Sequence, residues 1–278
     1  MLIKDLGGHS GCKILLLEEN NKYFVRKLSS SIAYNSRLEK QCLKQENFVG
    51  NSIKTPRVIK KGYDISGLFY YDMEYVQGIT LAKYISKVDV SKIGDIVNLI
   101  IKNIDFSINN IVDESIFKNK IIDLKNKTNV LQNKIVNNAL EFLNDYNWSD
   151  FCKSSCHGDL TLENIIVKNG DLYYIDFLDS FYDSWIIDFG KLLQDTECLW
   201  SYRNTELDTN TKLRLIIFRD ILLNELNNID KKYIKDSYMA LLLCLIRIYP
   251  YTTDEETILF LNNQVSNVLT KIRSQLLC

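Results

Sequence analysis

The chain is poor in proline and glycine: its 278 residues hold two prolines and eleven glycines. No proline-, glycine- or serine-rich linker, low-complexity tract or internal repeat interrupts it, so nothing in it reads as tethered modules. Few prolines beside many Asn, Lys and Ile reflect an AT-rich base composition more than a function. Neither sign of charge is in surplus, with 34 Lys and Arg against 35 Asp and Glu and a formal net charge of −1. That balance removes any global electrostatic reason to bind nucleic acid or an anionic membrane, so phosphate binding must come from a local site. Long apolar runs are missing as well. The most apolar stretch, 238–249, is about 12 residues and contains Arg247; it falls short of the roughly 20 needed to span a bilayer and reads as a buried helix. Residues 1–7 lack the apolar core of a signal peptide. The seven cysteines are odd in number and form no regular framework. Reduced thiols and a cytoplasmic location are the expectation.

What is present is an ordinary globular composition, 46% hydrophobic and 25% charged. The first 75 or so residues read as strands around one helix. Runs at 13–17 and 23–28 flank the polar cluster Glu18-Glu19-Asn20-Asn21, a turn signal. Helical spacing follows over 37–48, with Leu38, Cys42 and Leu43 able to share a face. After Pro56, Val58-Ile59 begins another strand, and 68–76 is an aromatic-rich one ending at Gly78. Beyond it the pattern turns helical. Ile93, Ile96, Val97, Ile100 and Ile104 recur in three- and four-residue steps, as do Leu131, Ile135, Ala139 and Phe142. One β interruption remains, 165–167 and 172–175, around Asn169-Gly170, a strong hairpin signal. The domain boundary is expected at a tight hinge near residues 74–78.

The stretch richest in chemistry is His157-Gly158-Asp159-Leu160-Thr161-Leu162-Glu163-Asn164, followed by that hairpin and Ile175-Asp176-Phe177. Phosphoryl transfer needs a carboxylate to orient the attacking hydroxyl and oxygen ligands to hold magnesium against the phosphates. An Asp and an Asn five residues apart on one loop supply the first and part of the second. An Asp at the end of the returning hairpin completes the order Asp159, Asn164, Asp176. The motif His157-Gly158-Asp159-x-x-x-x-Asn164 resembles the catalytic loop of the aminoglycoside phosphotransferase and choline kinase family, where glycine stands in place of the arginine of the protein-kinase His-Arg-Asp. The resemblance implies a two-lobed, protein-kinase-like α+β fold. A small antiparallel β lobe with one helix would occupy 1–76, and a larger, mainly helical lobe 77–278. It also implies Asp159 as catalytic base, Asn164 and Asp176 as magnesium ligands, and ATP or another nucleoside triphosphate as phosphoryl donor.

Asp188-Phe189-Gly190 matches the string that marks the metal aspartate of protein kinases, but it lies 24 residues after Asn164, whereas Asp176 lies 12 after it and directly follows the second hairpin strand. Asp188 is expected to cap a helix or to brace the catalytic loop, as the corresponding aspartate does in this family. His157 reads as a residue that shapes the loop more than as a general base. Cys152, Cys156 and His157 lack a second ligand pair for zinc.

On the nucleotide side, Gly7-Gly8-His9-Ser10-Gly11 ahead of the first hairpin resembles the family's glycine-rich turn. Gly8, Ser10 and Gly11 would present backbone N–H groups to phosphate. In Phe24-Val25-Arg26-Lys27, alternation lets only one of Arg26 and Lys27 point under that turn. A helical glutamate, Glu39 or Glu46, is expected to orient the basic residue. Asp72-Met73-Glu74-Tyr75-Val76-Gln77-Gly78 resembles the hinge strand, implying that the Glu74 carbonyl and the Val76 N–H read the adenine edge.

The expected function is phosphoryl transfer to a hydroxyl of a small metabolite, an amino alcohol such as choline or ethanolamine, or a sugar. An aminoglycoside is an alternative acceptor. Asp179, Asp183, Trp185, Trp200 and Tyr202 could wall a cationic acceptor, although aromatics at such spacings more often pack in a core. A protein kinase is disfavoured by His-Gly-Asp and by the lack of an Ala-Pro-Glu segment. A nucleotide-binding scaffold without activity is disfavoured by the intact Asp159, Asn164 and Asp176.

Overall fold

The computed structural model describes residues 1–7, 11–107, 113–149 and 151–276. It divides into two compact units, Met1–Leu81 with Asn164–Asp179, and Ala82–Glu163 with Ser180–Cys278.

Among the described residues of the first unit, five strands form an antiparallel sheet: β1 (Leu2–Asp5), β2 (Lys13–Glu19), β3 (Lys22–Leu28), β4 (Val58–Tyr63) and β5 (Phe69–Glu74), in the order β1-β2-β3-β5-β4. Asn20 and Asn21 both take positive φ, 50° and 59°. This backbone closes a two-residue hairpin whose twist matches its strands, and it pairs Glu19 with Lys22. Alternation along β3 then turns Val25 and Lys27 to the buried face and Arg26 to the other. The helix α1 (Asn35–Glu46) covers that buried face. Leu38 and Cys42 pack there with Leu16, Val25, Tyr71 and Met73. Leu43, expected on the same face, is exposed instead, because the buried stripe runs Leu38, Gln41, Cys42, Gln45. This i, i+3, i+4, i+7 pattern places two glutamines where apolar residues usually sit.

A smaller sheet completes the first unit, with β6 (Ile79–Thr80), β7 (Ile165–Lys168) and β8 (Asp171–Tyr174) in that order. Asn169 and Gly170, with φ of 52° and 87°, close the β7–β8 turn. The Lys54 N–H donates to the Leu172 carbonyl, and the Tyr174 N–H donates back to that of Lys54, each at 2.9 Å. Phe48 packs on Tyr174 and Phe177, ring centroids 5.5 and 5.3 Å away. These contacts fix the segment that carries Asp176 against the end of α1.

The second unit is built from α2 (Leu81–Ile85), α3 (Ile93–Ile101), α4 (Glu114–Thr128), α5 (Lys134–Asn144), α6 (Trp185–Thr196), α7 (Thr209–Ile229), α8 (Lys232–Ile246) and α9 (Glu255–Lys271). Asp113, Asn133, Ser184, Asp208 and Asp254 cap α4, α5, α6, α7 and α9, each side chain accepting from a first-turn N–H. The Asn133 cap corrects the sequence reading of α5: Leu131 and Ile135 lie off its buried face, which is Val136, Ala139, Leu140 and Leu143. The apolar run 238–246 is the buried length of α8. It packs against α6 at Gly190, where an added Cβ would meet the Ala240 Cβ at 2.8 Å and the Leu241 nitrogen at 2.9 Å. The absent side chain sets that close crossing.

Candidate active site

In the first unit, Lys27 is the residue of its pair that turns inward, with 2% of its surface exposed. Its ammonium donates to Gln41 Oε1 at 3.0 Å and forms an ion pair with Asp176. Burial alone would lower the lysine pKa, but the Asp176 charge outweighs it and holds Lys27 above the ordinary lysine range. Gln41 in turn donates to the Tyr34 hydroxyl at 3.3 Å. Arg26 points the other way. It forms a two-pronged pair with Asp72, at 2.7 and 2.9 Å, and lies over the Tyr70 ring.

The expectation that a glutamate orients the lysine is corrected. Glu39 accepts from the Tyr63 hydroxyl, and Glu46 pairs with Lys61 at 2.6 Å. The cause is helical phase: Gln41 is two residues beyond Glu39, about 200° around the helix, and it is the one in the buried stripe. The signal was present in the sequence as a glutamine at an apolar position of an amphipathic pattern.

Asn164 and Asp176 belong to the same unit. The Ile175 N–H donates to the Asn164 carbonyl at 3.0 Å, which ties the loop end to the residue before Asp176. Asp176 takes φ +62°, a left-handed conformation that Asp tolerates better than most residues and that turns the chain sharply after β8. The Glu74 carboxylate is engaged by Arg57, and Val76 lies between β5 and β6. Gly11 lies two residues before β2; Gly8 and Ser10 fall outside the described residues.

In the second unit, the loop 157–162 is held by one face of α6. The backbone N–H groups of His157 and Gly158 both donate to the Asp188 carboxylate, each at 2.7 Å. Gly158, at φ +87°, supplies the turn that aims both N–H groups at one side chain. The α6 cap is Ser184, so of the two roles open to Asp188 the structure shows the brace. One turn along, the Lys191 ammonium pairs with Asp159 Oδ1 at 3.0 Å and donates to Gln194 Oε1 at 3.1 Å. A further turn along, Asp195 accepts the Leu162 N–H at 2.6 Å and both the N–H and hydroxyl of Ser201. Residues 188, 191 and 195 follow i, i+3, i+7 spacing, a single helical stripe. Lys191 and Asp195 belong to no motif in the sequence, although the stripe is legible there once Asp188 is placed on a helix.

Within the loop, His157 Nδ1 accepts the Asp159 N–H at 3.2 Å, a shaping role for that ring. Burial opposes the charge of Asp159, yet Lys191 holds its carboxyl below the ordinary carboxylate range. Its side chain keeps 30% of its surface open, enough to meet another molecule. Trp185 and Tyr202 are core residues: Trp185 packs on Phe106, Phe189 and Tyr233, and the Tyr202 hydroxyl donates to the Ala82 carbonyl. Asp183 accepts from the Cys156 thiol at 3.4 Å, and Asp179 lies 3.8 Å from Lys40. Among the described residues no cluster of three His, Cys, Asp or Glu side chains could hold a metal unaided, and no helix is long and apolar enough to cross a membrane.

No family model and no curated protein matches the sequence. Solved structures match in fold. A thermostable mutant of aminoglycoside phosphotransferase APH(4)-Ia, in ternary complex with AMP-PNP and hygromycin B, aligns over 98% of this chain and 94% of that chain, with a TM-score of 0.68 and 12% identity. A candidate fructosamine-3-kinase from Haemophilus somnus aligns over 96% and 90%, with a TM-score of 0.61 and 14% identity. ADP-bound aminoglycoside phosphotransferase APH(2'')-Ib aligns over 96% and 92%, with a TM-score of 0.53 and 16% identity. The chain has the two-lobed α+β kinase-like fold of the aminoglycoside phosphotransferases.

Proposed function

We propose that the protein is a small-molecule kinase that transfers the γ-phosphoryl group of ATP to a hydroxyl. The first unit would bind the nucleotide, and the second would carry the base and receive the acceptor. The observation that supports this best is the Asp159 carboxylate, kept ionised by Lys191 on a loop whose backbone is pinned by Asp188. In the proposed reaction the acceptor oxygen bonds to the γ-phosphorus as the bond to the β–γ bridging oxygen breaks. The electron pair leaves on ADP, and the hydroxyl proton passes to Asp159.

The residues present fit a magnesium ion. Asp176 and Asn164 offer hard oxygen donors, and Asp176 already carries a cation, the Lys27 ammonium. Two protein ligands suit magnesium bound together with nucleotide phosphates better than a metal held by the protein alone. Asp176 and Asn164 would hold the ion, which supplies neutralisation of phosphate charge. Gln41 and Asp176 take two of the three N–H donors of Lys27, and the third would serve a phosphate oxygen. Gly8, Ser10 and Gly11 would line the phosphates, and the Glu74 carbonyl and Val76 N–H would read the adenine edge.

An amino alcohol or a sugar is our reading of the acceptor. The likeness to a structure that holds hygromycin B supports an aminoglycoside equally. The test is ADP release from MgATP with a panel of amino alcohols, sugars, aminoglycosides and proteins. Turnover with one small-molecule class assigns the acceptor; turnover with proteins alone, or nucleotide binding without transfer across the panel, overturns the proposal. Asp159→Asn is expected to lower transfer at least about 100-fold, the lower end of general-base contributions, while ATP affinity stays within about 2-fold. Activity near wild type in that variant would remove Asp159 as the base.

A further inference from the structure

The loop 157–164 contains no lysine or arginine, yet its one aspartate is engaged by a cation from α6. Lys191 Nζ is 3.0 Å from Asp159 Oδ1, and only 11% of the lysine side chain is exposed. A buried ammonium is costly unless it is paired and hydrogen-bonded; here Gln194 supplies the second partner at 3.1 Å. The rest of Asp159 is also held. Its N–H donates to His157 Nδ1, and its carbonyl accepts the Thr161 N–H at 2.8 Å. Lys191 therefore fixes the side-chain rotation of a residue whose backbone is already set, from a rigid helix anchored to the same loop on either side by Asp188 and Asp195.

We infer that Lys191 is a positioning residue of the transfer reaction, holding the Asp159 carboxylate in one orientation toward the acceptor hydroxyl. This rests on the reading of Asp159 as the base. It deepens that reading in one respect. A carboxylate paired with an ammonium is a weak proton acceptor, so it aligns the hydroxyl first and takes the proton late, which suits a loose phosphoryl-transfer transition state. Among the described residues, the groups acting most strongly on the charge of Asp159 are Lys191 from α6, His157 from its own loop, and Arg247 at the end of α8. Lys191 makes the ion pair, so its removal dominates the change. The sign follows: with the ammonium gone, the Asp159 carboxyl becomes harder to ionise, and activity that needs the carboxylate is lost at higher pH than in wild type.

The experiment measures the Asp159 carboxyl titration by carbon NMR and the pH profile of kcat/KM in wild type, Lys191→Met and Lys191→Arg. Lys191→Met is expected to move both the titration and the acid limb of the profile upward by about 1–3 pH units. Its kcat should fall at least about 10-fold, while the KM for MgATP stays within about 2-fold. Lys191→Arg is expected to keep both transitions near wild type. An unmoved titration in Lys191→Met, or a moved titration with an unmoved acid limb and unchanged kcat, overturns the inference. Should Lys191→Met fail to fold, Lys191→Arg carries the test alone, and an acid limb displaced upward in it overturns the inference. Absence of transfer to every acceptor in wild type would instead reject the kinase reading, and the NMR titration would still show whether the pair sets the charge of Asp159.

Discussion

The two units organise their charged residues in opposite ways. In the first, Lys27, Gln41 and Asp176 come from a strand, a helix and a segment more than a hundred residues further along the chain. In the second, Asp188, Lys191 and Asp195 lie on one face of one helix and hold one short loop. The first cluster depends on the folding of the whole unit, and the position of each member is replaceable in kind: a glutamine does what a glutamate was expected to do. The second is a rigid local device, in which each side chain satisfies backbone or charged groups that have no easy substitute. Damage should therefore cost more in the second unit than in the first.

The strongest way to break that comparison is Asp188→Ala. It leaves the buried N–H groups of His157 and Gly158 without their acceptor. At about 1–3 kcal/mol for each orphaned group, the expected loss is about 2–6 kcal/mol, a large fraction of the stability of an ordinary domain. Urea unfolding measures it, and the proposed transfer activity is expected to fall together with stability. A loss below about 1 kcal/mol would mean that the brace is dispensable and that the loop is shaped by its other contacts.

Legibility in the sequence followed the same division between local and distant. Both hairpins were readable because Asn20-Asn21 and Asn169-Gly170 are local backbone signals, and both turns take positive φ. The α8 segment was readable because it is apolar on every side. The loop motif marked Asp159 and Asn164 as candidates from the sequence. Helix phase was less legible. Spacing alone leaves the faces of Leu43 and Glu39 open along a helix whose register is set by packing against the sheet, and Gln41 takes the inward position because glutamine fills a buried stripe while still reaching a buried ammonium. The capping of α5 by Asn133 similarly shifted its face by one residue. Lys191 is not legible in the sequence because a lysine in an apparent helix is ordinarily solvated; only the approach of the loop makes it a buried partner.

A second prediction sharpens the comparison through pH. Burial pushes the Asp195 carboxyl up from 3.8 to about 6, against the hydrogen bonds from Ser201 and Leu162 that favour its ionised form. Between those values the folded chain holds a proton that the unfolded chain has released, so this group's contribution to stability falls as pH rises from about 4 to about 6 and is level above that. A shift of about two units corresponds to roughly 3 kcal/mol. Asp195→Asn cannot titrate. Its stability relative to wild type is expected to improve by about that amount between pH 4 and pH 7, whatever constant difference the lost acceptor adds. Unfolding curves at pH 4.5, 5.5 and 7 check this, and parallel trends in the two proteins would show that Asp195 is ionised throughout.

The smallest effect is expected in the first unit, from Gln41→Leu. The substitution keeps the buried volume of the α1 stripe and removes one acceptor from the Lys27 ammonium, leaving the ion pair with Asp176 in place. The charge of Lys27 therefore stays compensated, and the cost is that of two hydrogen bonds, from Lys27 and to the Tyr34 hydroxyl, about 0.5–1.5 kcal/mol each, partly returned by the apolar side chain in an apolar stripe. Urea unfolding of Gln41→Leu beside Asp188→Ala gives the comparison directly. If the glutamine substitution costs as much as the aspartate one, the cluster around Lys27 is as unforgiving as the α6 stripe. The contrast between a distributed and a local arrangement of charge would then be lost.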